Sequence, residues 1–280
     1  NVVTSIPDLA DMALNIGGEH IKVISLATGR EDLHAVPVRP SFLPKINRAD
    51  LLLNLGMEAE HAWLNALAGE ARNPRVMYKR EGWIEVYPGI TILDRPERWD
   101  RAEGHQHPLG NPHYNVGPQC GKIMAQNIAQ AFIASDPANK AYYQENLTKY
   151  LVKLESMEKT LKEKGSALKG ISVFSYHSDV IYLCDFYGMQ KIGSLEPKPG
   201  IQPTATHMAF LAEEAKKYNV KFILYNQAQN GKLPEKLAKE CGVRAVQFAN
   251  AVGAKGKIKT WIELQEYNLD ALLQGLWEAK

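Results

Sequence analysis

The stretch SDPANKAYYQENLTKYLVKLESMEKTLKEKG, residues 135–165, decides how the chain is organised. Its opening Ser135-Asp136-Pro137 combines a helix-capping side chain with a proline suited to a first helical turn, and from Ala138 to about Lys164 there is neither Gly nor Pro. Leu147, Leu151, Leu154 and Leu161 recur at three-, four- and seven-residue steps that keep one face apolar. Glu155 with Lys159 and Glu158 with Lys162 form i,i+4 pairs on the other face. The spacing predicts one helix that ends near Gly165. At roughly 1.5 Å per residue it reaches about 40 Å, too long for a local crossover, and reads as a stiff strut between two lobes. The sequon Asn146-Leu147-Thr148 falls inside this helix and carries little weight.

On either side of the strut short apolar segments alternate with helical patterns, the signature of an α/β chain with mainly parallel sheets. The strand candidates are NVVTS, IKVISLA, ADLLLNLG and ITIL before it, then ISVFSY, KIGSL, KFILYN and RAVQFA after it, roughly four to a lobe. The expected division is an N-terminal α/β lobe at 1–137, a linking helix at 138–165 and a C-terminal α/β lobe at 166–280. The 280 residues and 45% hydrophobic content suffice for two cores. A net charge of +2 gives no excess for wrapping nucleic acid or holding an anionic membrane, and no apolar run approaches the roughly 20 residues of a membrane span. The start at Asn1, without an initiator Met, suggests a processed or trimmed form. Cys120, Cys184 and Cys241 lie far apart with no C-x-x-C, which excludes a zinc ribbon or dithiol motif. They read as small core residues, with a Cys184 to Cys241 bridge as the alternative.

There is no phosphate loop, no H-E-x-x-H helix and no G-x-S-x-G elbow, so nucleotide hydrolysis and serine esterase chemistry are disfavoured. The histidines are more informative. His34 follows the strand IKVISLA, His113 lies in GNPHYNVGP before a helix, and His177 ends the strand ISVFSY. These are the edges at which open α/β sheets place ligands, and a site using all three would lie between the lobes. Three neutral imidazoles suit Zn²⁺ better than Mg²⁺ or Ca²⁺, which want oxygen. His105 and His107 form a separate pair in the Gly- and Pro-broken loop EGHQHPLG, either a loose metal-binding tract or a solvated loop. His61 and His207 fall in helical patterns and read as structural.

Taken together these segments resemble the zinc- and manganese-type solute-binding proteins of bacterial ABC transporters, whose two lobes are joined by one long helix. GGEHIKVISLATGREDLHAVPVRPS is similar to the family's opening, a D-P-H segment followed by a Pro-Ser pair, with Leu33 replacing Pro and with His34, Pro40 and Ser41 in place. ADLLLNLGMEAEHAWL looks like its "AD…nG…E.WL" element, and NPHY matches D-P-H-x-W with Asn111 for Asp. FSYHSDVIYLCDFYG corresponds to the third-histidine segment and LEPKPGIQPTATHMAFLAEEAKKYNVKFIL to the stretch after it.

The resemblance implies that His34, His113 and His177 are metal ligands and that no residue is catalytic. It also implies that the protein is extracytoplasmic and monomeric and that it partners a membrane permease. The place of the family's carboxylate fourth ligand holds Asn250, which either coordinates through its amide oxygen or hydrogen-bonds a water there. Asn226, where relatives often have Glu, is expected to stand behind the ligands. With fewer carboxylates the site favours zinc over manganese, although other divalent transition metals would bind. Metal capture is expected to settle the cleft and its loops with only small shifts, since a long helix resists wide hinge motion. Two alternatives remain at this level. One is a zinc hydrolase or lyase using the same histidines, with Asp179 or Glu196 as base, although both read more simply as surface or lobe-lining groups. The other is a binding protein for a metal chelate.

Overall fold

The computed structural model describes residues 1–96 and 107–277. The chain divides into two compact units. Unit 1 comprises Asn1–Thr91, Gln119–Met157 and Ala251–Ile262; unit 2 comprises Ile92–Pro118, Glu158–Asn250 and Glu263–Lys280.

Unit 1 is built on strands β1 (Val2–Thr4), β2 (Val23–Ser25), β3 (Leu51–Asn54) and β4 (Trp83–Glu85), all parallel in the order β2-β1-β3-β4. Every residue of β1 and β3 is buried, as expected of central parallel strands, which read as continuous apolar runs. Helix α1 (Pro7–Gly17) starts with Pro in its first turn and buries Leu9, Met12, Ala13 and Ile16, the i, i+3, i+4, i+7 stripe of one face. Each such large side chain taken fully from water contributes about 1.5–3 kcal/mol. Helices α2 (Leu43–Asn47), α3 (Leu64–Glu70) and α4 (Gly121–Ser135) complete the helical cover.

The fourth strand is not the ITIL segment at 90–93. GWIEVY supplies it instead, with Leu52, Leu53 and Asn54 paired to Trp83, Ile84 and Glu85. Both segments are short and apolar; a turn decides between them. Ile90 N–H donates to the Tyr87 carbonyl across Pro88-Gly89, with Gly89 at φ 89°, and this reversal takes the chain off the sheet before residue 90.

Helix α5 (Lys140–Lys164) is the expected strut, preceded by a 3-10 turn at Pro137–Asn139 and followed by another at Gly165–Leu168. Tyr143, Tyr150, Leu154, Met157 and Leu161 are its buried residues, at seven-, four-, three- and four-residue steps. The unit boundary at Met157 falls within it, so one helix supplies chain to both units.

Unit 2 repeats the winding with β5 (Ser172–Ser175), β6 (Gln190–Ser194), β7 (Phe222–Tyr225) and β8 (Arg244–Gln247), parallel in the order β6-β5-β7-β8. Helices α6 (Ile181–Tyr187), α7 (Ala205–Lys217), α8 (Lys232–Cys241) and α9 (Trp261–Trp277) complete the described elements. In each sheet the chain leaves the first strand on one side and returns on the other, which opens a crevice beyond the carboxyl ends of β1 and β3 and of β5 and β7. Cys120, Cys184 and Cys241 are free thiols, so the Cys184 to Cys241 bridge does not form.

Candidate metal centre

His177 lies two residues past β5, at the switch point of the second sheet, and opens a 3-10 turn at Ser178–Val180. Its Nδ1 is 2.7 Å from Glu196 Oε2, an oxygen that also accepts the Gly200 N–H at 2.9 Å. A carboxylate behind the ring holds the proton on Nδ1 and leaves the lone pair on Nε2, the arrangement that orients metal-binding imidazoles. Glu196 is thus a half-buried, cavity-lining group, the second of the two readings the sequence left open. A contact 19 residues away across a loop left no local signal.

His113 is buried and precedes the 3-10 turn Tyr114–Val116. Asn111 Oδ1 receives both its backbone N–H, at 3.0 Å, and its Nδ1–H, at 2.9 Å. The Asn111 amide donates to the Ser178 carbonyl at 2.7 Å, and its own backbone carbonyl accepts the Tyr182 hydroxyl at 2.9 Å. Asn111 thus ties the His113 segment to the residue after His177. The two rings stand 5.2 Å apart between centroids at 79°, and both line a cavity of about 240 Å³ together with Asp94, His107 and Pro199. His107 packs edge-on against His113 at 6.4 Å; His105 lies outside the described residues.

In unit 1, His34 lies on the 3-10 turn Leu33–Ala35, capped by Asp32, whose carboxylate accepts the His34 N–H at 2.9 Å. Its Nδ1 donates to the Ala59 carbonyl at 2.9 Å, which again makes Nε2 the lone-pair nitrogen. Trp63 Nε1 donates to the Leu33 carbonyl at 3.0 Å and fixes the same turn from the other side. Each of the three histidines turns Nδ1 to an oxygen acceptor, and the acceptors differ: a peptide carbonyl, an amide and a carboxylate.

Asn250 accepts on Oδ1 from the Gln227 amide, and its backbone carbonyl accepts from Asn115 at 2.8 Å. Asn226 donates to Asp179 Oδ2 at 2.5 Å and accepts the Ala228 N–H at 2.7 Å, so both ends of its amide serve the fold. Asp179 is buried, which excludes the surface half of the reading that it is a surface or lobe-lining group. His207 lies on α7 and bonds the Ser194 carbonyl at 3.0 Å, whereas His61 is exposed in a turn ahead of α3 and not on a helix.

Sequence reasoning missed Glu60. Its carboxyl is buried beyond the ends of β1 and β3, accepting the Ser5 hydroxyl at 2.6 Å and the Leu55 N–H at 2.8 Å on one oxygen. Burial is the largest influence and pushes it up to about 7, against the lowering effect of these bonds. Nothing local singles it out, since Glu58 and His61 stand beside it.

The chain has two four-stranded parallel sheets and one long helix, with His177 just past β5, whereas His34 lies on a 3-10 turn nine residues past β2 and His113 opens another well beyond β4; its class is that of solute-binding proteins that hold metal ions. Residues 2–275 match the family described as zinc-uptake complex component A, periplasmic. The manganese ABC transporter substrate-binding lipoprotein PsaA of Streptococcus anginosus is 24% identical over 283 residues, covering 98% of this chain and 88% of that protein. The iron ABC transporter substrate-binding lipoprotein MtsA of Streptococcus pyogenes serotype M1 is 25% identical over 283 residues, with the same coverage. The crystal structure of ZnuA superposes with a TM-score of 0.81 at 22% identity over 98% of both chains. The chain belongs to this zinc-uptake component A family: it is an extracytoplasmic, divalent-metal-binding component of an ABC transporter, in a family of solute-binding proteins and not of enzymes.

Proposed function

We propose that this protein captures zinc with His34, His113 and His177 and delivers it, as a monomer, to a membrane permease. The observation that carries the reading is a shared arrangement: each ring has Nδ1 within hydrogen-bond distance of an oxygen acceptor, which in the neutral ring makes Nε2 the metal-binding nitrogen. Three imidazole nitrogens at Zn–N of about 2.0–2.1 Å make a first shell that suits zinc. Names among the relatives span manganese and iron, so the metal is argued from this chain's own donors. The amide of Asn250 replaces an anionic oxygen with a neutral one, which weakens the case for manganese more than for zinc. Its oxygen accepts one bond from Gln227 and keeps a second lone pair, so it can serve as fourth ligand or hold a water there.

The test is calorimetric titration of chelator-stripped protein with Zn²⁺ and Mn²⁺, beside His34→Ala, His113→Ala and Asn250→Ala. Expected are one-to-one zinc binding tighter than manganese, severe loss on either histidine substitution and a smaller loss at Asn250. Manganese bound as tightly as zinc would overturn the choice of metal; unaltered binding by His113→Ala would overturn the site.

A further inference from the structure

The turn that leads from β3 toward Trp63 is strained. Gly56, Met57 and Glu58 run consecutively at φ 74°, 53° and 62°. The left-handed region is natural for the glycine but costs on the order of 1 kcal/mol or more for each of the two residues that follow, and such a run persists only where its surroundings over-determine it. Immediately after it come Ala59, whose carbonyl holds His34 Nδ1, and Glu60, whose carboxyl joins Ser5 at the end of β1 to Leu55 at the end of β3. Ala59 and Glu60 are both buried, and Trp63 closes the segment on the Leu33 carbonyl. A carboxyl buried at a sheet's switch point, the usual place for a ligand, is here spent on the chain itself.

We propose that Glu60 is a positioning residue for metal capture: clamped between Ser5 and Leu55, it holds the strained turn so that the Ala59 carbonyl fixes the His34 imidazole with Nε2 as the donor. The inference rests on His34 being a ligand, as argued above. Glu60 touches no metal; it acts through one peptide carbonyl.

The experiment is a double-mutant cycle on zinc affinity, measured by competition with a chelator of known strength in the full chain. Glu60→Ala should weaken zinc binding by about tenfold or more, the usual effect of removing a group that orients a ligand. The same substitution should cost little further in a His34→Ala background, because its effect passes through that ring. Glu60→Gln, whose Oε1 can still accept both bonds, should stay within about threefold of the parent, less than 1 kcal/mol. Wild-type affinity for Glu60→Ala, or an equal loss in both backgrounds, would overturn the proposal and leave His34 as a ligand. Wild-type affinity for His34→Ala would overturn the ligand assignment itself, and the proposal with it. If Glu60→Ala fails to fold, Ser5→Ala removes a donor from the same clamp and should weaken binding with the same non-additivity; unaltered affinity there overturns the clamp.

Discussion

The buried carboxyl of Glu60 sets a pH dependence of stability whose sign differs from that of most carboxylates. Its ordinary value is 4.5 and burial raises it to about 7 in the folded chain. Below about 4.5 it is protonated in both folded and unfolded states and contributes nothing to the difference. Between 4.5 and 7 the folded state holds the proton more tightly than the unfolded state, so stability falls as pH rises. At about 1.36 kcal/mol per unit the 2.5-unit span is worth about 3 kcal/mol, fully expressed above pH 7. Glu60→Gln removes this titration while leaving every other group to titrate as before. The assay is urea unfolding of metal-free parent and variant from pH 4.5 to 8. The difference, variant minus parent, should move in favour of the variant by about 3 kcal/mol across that range. A difference constant within about 0.5 kcal/mol would refute the claim that burial dominates this carboxyl.

Two further outcomes follow from the contacts of the histidines. Glu196→Gln keeps an acceptor for His177 Nδ1 at the same place but removes its charge; zinc affinity should drop about tenfold by competition titration, with little change in thermal midpoint. Asn250→Asp supplies an anionic oxygen where Gln227 already donates, and should narrow the ratio of zinc to manganese affinity in paired calorimetric titrations.

The strut was legible because it is long: a stretch without Gly or Pro and with a sustained apolar stripe admits one reading, and α5 is where that reading put it. The central strands were legible for a similar reason, since LLLN and KFILYN are continuous apolar runs between turn signals. ITIL and GWIEVY were not separable on that basis. Periodicity cannot rank two short apolar segments, and the choice fell to the turn at Pro88-Gly89, whose consequence depends on where the following chain packs. His177 could be placed at a strand exit because the residues before it are plainly a strand. Glu196 stood in view only as a candidate base; its pairing with His177 could not be read, because it arrives from beyond β6. Asn111 stood in view as a substitution for Asp in NPHY, yet its three roles toward His113, Ser178 and Tyr182 involve partners up to 71 residues away. Pairings at that separation are set by tertiary packing, where local spacing carries no information.

The bracket made by Asn111 also bears on when the cost of assembling the ligands is met. One amide holds His113 through two bonds and the peptide beside His177 through a third, so these two imidazoles are spaced by the folded chain before any ion arrives. They behave as a chelating pair with a preset bite. The entropy of bringing two donors together is lost once, during folding, and the second nitrogen meets an ion held by the first at high effective concentration. Such a pair discriminates by fit as well as by donor chemistry, because an ion that wants a different bite must deform a buried hydrogen-bond bracket to obtain it.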